Sequence, residues 1–495
     1  MDKKNIHVTT QRQWAIGFWH YFSPTGLGPP GVLVADNYRH DLAFQGASGV
    51  FTFKIWQVHL IPDENAERAV GTQGEKKRRV FLFLQGHPST FTRNLANELE
   101  LRGYKALKIN FCVGDALYWV GRKAVSYRGR FGNWAGFLDR FARREGVTDI
   151  LYYGDRRPYH VIAAQVAREL GLRTYAFEFG YLRPDWITIE RGGMSAYSHF
   201  PDDPEQIRKI AQQFDKPDLD SRYHYSKSTE LFHEVTYNMT SLLLGFTTPF
   251  YKSGHYYNPL LEYIRGIPGL LLEKRNEARA QDVCNDILNR KYSYFLFPLQ
   301  LQSDAQLLHN ARFRYQGDAI ELVLRSFAKH ARPQDHLIFK QHPLDNGWER
   351  WKSKVKKLSR HYGLCGRTHF IIGGNLHLLL SRARGCVLIN STVGISALHL
   401  GCPVKALGTA IYDIEGLCHK GSLGSFWQTP LTPDKILTDA FECALAGTIQ
   451  VKGNFFTPEG QAAAIPKMAY MLTREKVNGA GAYIEMPPRK NREQN

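Results

Sequence analysis

Two series of short apolar runs, each followed by a stretch with helical spacing, constrain the fold of this 495-residue chain more than any other feature. The first series begins at residue 80 with VFLFLQG and continues through KALKINFCV, TDILYYGD and RTYAFEFG. The second begins near residue 293 with SYFLFPLQL and continues through HLIFKQH, HFIIGG, CVLIN and PVKALG. Such alternation is typical of parallel sheets covered by helices on both faces. The sequence therefore predicts an α/β chain with two parallel sheets and a cleft between them.

The two series also predict the domain boundaries. A single core rarely grows beyond about 250 to 300 residues, so a chain of this length is expected to divide. The expected segments are an N-terminal extension at 1–79, a first domain at 80–235, a helical connector at 236–292, a second domain at 293–473 and a flexible tail at 474–495.

The charge of the chain limits its classes of partner. Lys and Arg number 64 against 46 Asp and Glu, which gives a formal net charge of +18. This excess favours nucleic acid, anionic lipid headgroups or a phosphorylated substrate. Nucleic acid is the weakest of the three, because no zinc finger, ribonucleoprotein motif or basic zipper is found. We therefore expect no nucleic-acid partner.

Cysteine usage and hydropathy indicate the compartment. The 7 cysteines are odd in number and no pair is spaced C-x-x-C, which predicts reduced cytoplasmic thiols and no zinc site. The first 20 residues hold no apolar core of signal-peptide length, and no apolar stretch reaches 18 residues. Any membrane role is therefore expected to be peripheral, and SLLLGFTTPFYK at 241–252 is either a docking segment or an ordinary core helix.

Two polar motifs follow strands of the second series, KQHP at 340–343 and NSTVG at 390–394. Ligands of open parallel sheets bind beyond the carboxyl ends of the strands. Ammonium and imidazole groups bond phosphate oxygens, and the start of a helix, expected here at Ser391, attracts anions. Each motif alone also fits an ordinary strand end or an N-cap, but together they favour a shared phosphate. The candidate residues are Lys340, Gln341, His342, Asn390, Ser391, Thr392 and Gly394.

Polar residues also follow strands of the first series. Glu178 ends an aromatic run, and apolar surroundings raise a carboxyl pKa and suit the group to acid/base work. A pair with Arg183 or Arg191 is the simpler alternative. Asp155 is either the N-cap of the next helix or a cleft residue. The remaining candidates are His87 after the first strand, His160 in YYGDRRPYH, and Arg128 and Arg130 in the loop SYRGRF.

In this order the motifs resemble the capsule polysaccharide synthesis family, and most closely its KpsS/LipB type. The resemblance extends from Phe81 to Leu417 and is carried by FLFLQGHPSTFTRNLANELELRGYKALKINFCVGD, YYGDRRPYH, FEFGYLRPDWITIE, FKQHPLDNGW and INSTVGISALHLGCPVKALGTAIYDIEGL. It implies a GT-B-like fold, in which two Rossmann-like domains enclose an active site. It also implies a retaining glycosyltransferase that moves β-Kdo from CMP-Kdo to a phosphatidylglycerol-type lipid. That reaction starts the linker on which capsule export depends.

The resemblance further implies roles for the candidate residues. The KQHP turn, Ser391 and Thr392 would bind the CMP phosphate. Glu178 falls in what looks like an acidic-acidic-glycine motif of CMP-sugar transferases, although its second acidic position is Phe179 here. Glu178 or Asp155 would supply the catalytic carboxylate, with His87 or His160 beside it. Arg128, Arg130 and Arg183 are predicted to bind the sugar carboxylate or the lipid phosphate, and no metal or other cofactor is expected.

The implied partners are an anionic lipid at the inner face of the inner membrane and the capsule biosynthesis and export machinery. The protein is accordingly predicted to be cytoplasmic and peripheral to that membrane. The alternative is a non-enzymatic export factor that binds the lipid-linked polysaccharide. The two hypotheses differ in whether CMP is released from CMP-Kdo.

Overall fold

The computed structural model describes residues 32–46, 49–61, 79–304, 307–308 and 313–489. The chain divides into two units, Met1–Lys77 and Arg78–Asn495. In the first unit, β1 (Val32–Gly46) pairs with β2 (Gly49–Ile61) as antiparallel strands. The other residues of the predicted extension up to residue 78 lie outside the described part.

The second unit contains two sheets. Within the described residues, the first sheet consists of β3 (Val80–Phe83), β4 (Lys105–Asn110), β5 (Val125–Ser126), β6 (Asp149–Tyr153), β7 (Arg173–Phe179), β8 (Trp186–Arg191) and β14 (Gln450–Lys452). Their order is β14-β8-β7-β6-β3-β4-β5. The strand β8 runs antiparallel to β7 and β14, whereas the other pairs are parallel.

The second sheet is parallel throughout and has the order β11-β10-β9-β12-β13. Its strands are β9 (Tyr294–Pro298), β10 (His336–Gln341), β11 (Thr368–Ile372), β12 (Gly385–Leu388) and β13 (Val404–Ala406). Two parallel-dominated sheets confirm the predicted α/β, GT-B-like fold class with two Rossmann-like domains.

Helices cover these sheets and connect them. In the first half of the unit they are α1 (Phe91–Leu101), α2 (Val113–Leu117), α3 (Trp134–Glu145), α4 (Pro158–Glu169), α5 (Pro204–Ala211), α6 (Lys227–Leu243), α7 (Pro259–Leu271) and α8 (Glu273–Asn289). In the second half they are α9 (Gln316–His330), α10 (Trp351–His361), α11 (Leu376–Arg382), α12 (Val393–His399), α13 (Leu423–Gln428), α14 (Lys435–Thr448) and α15 (Pro458–Thr473).

Strand alternation explains why each sheet has a core on both faces. In β3, Phe81 and Phe83 belong to the cluster that includes Phe91 of α1, whereas Leu82 belongs to the opposite cluster with residues of α3 and α4. In β10, Ile338 packs on the α8 side and Phe339 packs on the α9 side. Side chains that alternate in this way are apolar on both faces, as the continuous apolar runs predict.

The end of the chain returns to the first sheet. The strand β14 pairs with β8, and Met468 and Leu472 of α15 join the core that contains Phe91. The segment predicted as the second domain, 293–473, therefore contributes to both sheets. Part of the predicted tail also packs on the protein, because the buried Arg489 guanidinium donates to the carbonyls of Phe200 and Pro201 at 2.6 and 2.8 Å. A strand of only three residues has too little periodicity to predict this return.

Candidate functional site

Glu178 is a half-buried carboxyl near the end of β7. Burial raises its pKa to about 7; Asp304 and Asp155 act in the same direction, and Arg183 and Arg157 act against them. Within the described residues, its carboxyl accepts no hydrogen bond and forms no ion pair, so the alternative of a pair with Arg183 or Arg191 is wrong. A carboxyl that is unpaired and titrates near neutrality is suited to acid/base or nucleophilic chemistry.

Phe179 stands where the resembled motif has a second acidic residue. Its ring lies 5.3 Å from the His87 ring, edge to face, and the central guanidinium carbon of Arg183 lies 5.3 Å from the Phe179 ring centre. Phe455 and Phe456 complete this aromatic cluster. An aromatic ring at position 179 therefore supports the cation beside Glu178.

His87 is buried in the same cluster. Its ring stacks on Phe455 at 4.3 Å, and its Nδ1 lies 3.2 Å from the Ser89 hydroxyl. Burial lowers the pKa of the imidazole well below its usual range, and Arg157 adds to this effect. His87 is therefore neutral near pH 7. Phe455 comes from the chain after β14, so this wall includes a residue far along the sequence.

Asp155 is held by the protein on both of its oxygens. The buried carboxylate accepts a hydrogen bond from the Met194 backbone N–H at 3.0 Å and pairs with the Arg156 Nε at 3.3 Å. The N-cap interpretation is wrong, because α4 begins at Pro158 and its N-cap is Arg157. These contacts favour a role in holding the turn between β6 and α4.

His160 lies under the same turn. Its Nδ1–H donates to the Gly154 carbonyl at 2.7 Å, and its ring stacks on Tyr152 at 4.8 Å. The side chain is completely buried, and burial lowers its pKa well below the usual range. His160 thereby fixes the turn that carries Asp155 and Arg157.

Arg157 is a candidate site residue that was not predicted from the sequence. Its guanidinium carbon lies 5.4 Å from the Tyr153 ring centre, and its charge acts on the pKa values of His87 and Glu178. Among the described residues, none forms an ion pair or a hydrogen bond with this guanidinium. The adjacent Arg156 is different, since it pairs with Asp155 and stacks on Tyr197 at 3.8 Å. A half-buried guanidinium that has no ion pair among the described residues is suited to bind an anion.

A small recess is lined in part by His87 and Ser89. Buried Lys108 and Asp115 line it together with Tyr237, whose hydroxyl donates to Asp115 at 3.0 Å. Burial lowers the pKa of the Lys108 ammonium. This cavity gives the first domain a polar recess beside the aromatic cluster.

His342 follows β10 in the second domain. Its Nδ1 accepts a hydrogen bond from the Leu344 backbone N–H at 3.1 Å, so the neutral ring carries its proton on Nε2. Burial lowers its pKa to about 4, and Arg183 and Lys340 act in the same direction. In the described structure, Nε2–H has no hydrogen-bond acceptor and remains available to a ligand.

The side chains of Lys340 and Gln341 donate hydrogen bonds to other residues of the second domain. The buried Lys340 ammonium donates to the Gly373 carbonyl at 2.6 Å, and Gln341 donates to the Asp345 carboxylate at 3.1 Å. Adjacent residues of a strand point to opposite faces of the sheet. Lys340 and Gln341 each use one N–H donor in these contacts, whereas the single N–H of the His342 ring has no acceptor among the described residues.

The NSTVG motif differs in detail from its prediction, because α12 begins at Val393 and not at Ser391. Asn390 exchanges hydrogen bonds with the Gln300 side chain at 3.2 and 3.0 Å. The Ser391 hydroxyl accepts from the Val393 backbone N–H at 3.3 Å. Thr392 is the N-cap residue and its side chain makes no capping hydrogen bond.

Gly394 has a packing role. The Tyr412 ring occupies the space in which a Cβ at position 394 would lie. The Tyr412 hydroxyl donates to the Ser391 carbonyl at 2.6 Å. The glycine therefore lets Tyr412 fix the start of α12, which leaves the Ser391–Thr392 turn half-exposed at the sheet edge.

The three predicted anion-binding arginines separate into two groups. Arg128 and Arg130 are exposed, and the Arg130 guanidinium carbon lies 5.2 Å from the Phe250 ring centre. Arg183 instead acts on the pKa values of both Glu178 and His342. Of the three arginines, Arg183 is therefore the one whose charge acts on candidate residues of both domains.

Among the residues that the structure describes, no three His, Cys, Asp or Glu side chains are grouped so that they could hold a metal ion. The expectation of chemistry without a metal or another cofactor stays a prediction.

Comparison with known proteins identifies the family. The model of the family described as "Capsule polysaccharide biosynthesis protein" matches residues 148–456. The chain belongs to this family. It is 32% identical over 383 residues to the capsule polysaccharide export protein KpsS of Escherichia coli, covering 76% of this chain and 97% of KpsS. It is 31% identical over 392 residues to the capsule polysaccharide modification protein LipB of Neisseria meningitidis serogroup B, covering 76% and 91%.

Among solved structures, the chain is similar to Thermosulfurimonas dismutans KpsC, a beta Kdo 2,7 transferase. The identity is 15%, the TM-score is 0.41, and the match covers 80% of this chain and 100% of that one. The family predicted from the motifs is thus confirmed by the family model and by the two sequence relatives.

Proposed function

We propose that the protein is a retaining glycosyltransferase that moves β-Kdo from CMP-Kdo to a phosphatidylglycerol-type lipid and so starts the capsule linker. Membership in the capsule polysaccharide family and the presence of two parallel-dominated sheets support this class of reaction. The observation that carries the proposal is the uncommitted carboxyl of Glu178, whose pKa is raised to about 7 by burial. The charge of Arg183 lowers the pKa of Glu178 and also the pKa of His342 in the second domain.

The second domain supplies the donor site in this proposal. The His342 Nε2–H donates to a phosphate oxygen of CMP, and the half-exposed turn at Ser391 and Thr392 supplies further donors. Arg183 offsets the negative charge that develops on the leaving phosphate. Lys340 and Asn390 support this site through their contacts with Gly373 and Gln300.

The first domain supplies the carboxylate. Glu178 attacks the anomeric carbon, the bond from that carbon to CMP breaks, and the phosphate takes the electron pair. The acceptor hydroxyl then attacks the same carbon from the face that CMP has left. Its proton passes to the phosphate, and the Glu178 carboxylate is released. Two inversions retain the configuration.

Arg157 binds the sugar carboxylate in this mechanism, because its guanidinium is unpaired among the described residues and acts on Glu178. Asp155 and His160 hold the turn that carries it. His87 and its aromatic neighbours exclude water from the reacting carbon. The acceptor enters beside this cluster from the inner face of the inner membrane, where the protein works with the capsule machinery.

Mass spectrometry of the lipid product tests the proposal. Purified protein is incubated with CMP-Kdo and short-chain phosphatidylglycerol, and we expect lipid that carries one added Kdo together with released CMP. Glu178→Gln abolishes the product, whereas Glu459→Gln, at an exposed site in the first turn of α15, does not. Unmodified lipid under conditions that sustain another Kdo transferase would overturn the proposal and favour the non-enzymatic export factor.

A further inference from the structure

The helix α7 presents its apolar side to solvent. Leu260, Ile264, Ile267 and Leu271 are 43%, 54%, 50% and 80% exposed, and their spacing places them on one face of the helix. A helix on the surface of a folded protein normally turns such a stripe inward. This arrangement marks the stripe as an interaction surface.

Polar and aromatic contacts hold the opposite side of α7 to the protein. The Tyr263 hydroxyl accepts a hydrogen bond from Asn238 of α6 at 2.6 Å, and Glu262 accepts one from Asn346 at 3.1 Å. The Arg265 guanidinium carbon lies 4.1 Å from the Trp348 ring centre. The outward direction of the apolar stripe is therefore fixed by specific contacts.

The preceding segment extends the apolar surface. At the end of α6 and in the turn after it, exposed large apolar side chains follow one another, namely Leu242, Leu243, Leu244, Phe246 and Phe250. Together with α7 they account for a large share of the exposed large apolar side chains in the described part of the chain. Single exposed apolar residues are ordinary, whereas a concentration of them marks a binding surface. We call Leu242–Leu272 the α6–α7 surface.

The charge around the α6–α7 surface complements an anionic partner. Between residues 240 and 275, Glu262 and Glu273 are the acidic residues, and Glu273 pairs with Lys227 at 3.3 Å. The same stretch contains the basic residues Lys252, Arg265, Lys274 and Arg275. Exposed Arg130 adds its charge beside Phe250 at 5.2 Å. Leucine, isoleucine and phenylalanine with basic neighbours are the composition that binds anionic bilayers.

The α6–α7 surface also adjoins the candidate site. Tyr251 follows the exposed Phe250, and its hydroxyl accepts a hydrogen bond from the buried Gln85 at 3.1 Å. Gln85 lies two residues before His87. The chain thus passes within one residue from the exposed surface to a contact with the segment that carries His87.

We propose that the α6–α7 surface docks the protein on an anionic lipid bilayer, with its apolar side chains among the acyl chains and its basic side chains at the headgroups. The inference rests on the proposed function in taking the lipid acceptor as the reason for docking. A bilayer fits better than a protein partner because large aliphatic and aromatic side chains lie beside basic ones on successive elements. Docking would bring the acceptor headgroup to the cleft without removing the lipid from the membrane.

Vesicle sedimentation tests this docking. The full chain is mixed with vesicles of phosphatidylcholine alone and with vesicles that also contain phosphatidylglycerol. We expect the triple variant Leu260→Gln/Ile264→Gln/Ile267→Gln to bind the anionic vesicles about tenfold or more weakly than the natural chain. The matched control is Leu101→Gln/Ile436→Gln, which changes residues 81% and 74% exposed outside the surface and should bind unchanged. Equal binding by the two variants would overturn the proposal.

Two further readouts separate the alternatives. If the triple variant loses self-association in sedimentation velocity but keeps its vesicle binding, the surface is an interface between copies and the proposal is overturned. In transfer assays, the triple variant should keep its activity on soluble short-chain acceptor and lose it on vesicles. If no transfer occurs at all while vesicle binding still depends on the surface, docking stands and the proposed function fails.

Discussion

The guanidinium carbon of Arg183 lies 5.3 Å from the centre of the Phe179 ring, at the position where the resembled motif has its second acidic residue. The Arg183 charge lowers the pKa of Glu178 against the effect of burial, and it also contributes to the lowered pKa of His342. The Phe179 ring therefore helps to position the Arg183 guanidinium, whose charge affects the pKa values of one residue in each domain. A second carboxylate there would oppose Glu178 by like charge.

Replacing Phe179 tests this relationship. We expect Phe179→Asp to lower kcat/KM for the donor about tenfold or more, because it removes the ring below Arg183 and adds a negative charge near Glu178. Phe179→Tyr keeps the ring and should retain most of the activity. Steady-state kinetics at several CMP-Kdo concentrations measure the difference. Higher activity in Phe179→Asp would contradict our interpretation of the motif.

Changing each candidate carboxylate to its amide should have different effects on activity and on thermal stability. Glu178→Gln is expected to lower kcat about 10²- to 10⁴-fold with little change in thermal stability, because no described residue hydrogen-bonds its carboxyl. Asp155→Asn should mainly lower the melting temperature. It weakens charge-assisted contacts with Met194 and Arg156, which are worth about 1.5 to 3 kcal/mol each. Equal losses of kcat in the two variants would contradict these roles.

The dependence of the rate on pH follows from the raised pKa of Glu178. Only the ionised carboxylate attacks, so kcat should rise with pH and reach a plateau above the pKa of about 7. Arg183→Gln removes a cation that favours ionisation, and its midpoint should move to higher pH. The measurement is a pH–rate profile from pH 5 to about 9. A midpoint that stays unchanged or moves to lower pH in Arg183→Gln would show that Arg183 does not act on the titrating group.

Arg157 is expected to contribute to binding more than to stability. Arg157→Gln should raise KM for CMP-Kdo about tenfold or more, since a charge-assisted bond to the sugar carboxylate is lost. Its melting temperature should change little, because the guanidinium has no ion pair among the described residues. Arg168→Gln, on the exposed side of the same helix, is the matched control. An unchanged KM in Arg157→Gln would remove this residue from the site.

The sequence predicts the sheets because buried parallel strands are apolar on both faces, which is visible in VFLF and HLIF. It does not predict that β14 joins the first sheet, because three residues have no measurable period and the pairing partner lies more than 250 residues earlier. Phe455 and Phe456 reach the site through this pairing. They were therefore outside any prediction based on neighbouring residues.

The candidate site shows the same division between local and long-range information. The positions of Glu178 at the end of β7 and of His342 just after β10 follow from the strand pattern. Which of the adjacent Arg156 and Arg157 is paired does not follow, because the partner of Arg156 is set by the turn geometry around Asp155. Gly394 likewise suggests ligand contact in the sequence, whereas its space is taken by Tyr412, 18 positions later.

His342 offers the most specific test of the donor site, because its two ring nitrogens have different roles. Nδ1 accepts from the Leu344 N–H, and Nε2–H is left for a phosphate oxygen. An Asn side chain can retain an acceptor near the Nδ1 position, whereas a Gln amide can reach the Nε2 position as a donor. We expect His342→Asn to weaken CMP binding about tenfold in calorimetry, since a hydrogen bond to a charged group is worth about 1.5 to 3 kcal/mol. His342→Gln should lose less affinity. Lys340→Met should chiefly lower the melting temperature, because its ammonium bonds the Gly373 carbonyl. If His342→Gln binds CMP no better than His342→Asn, the Nε2 proton is not a phosphate donor.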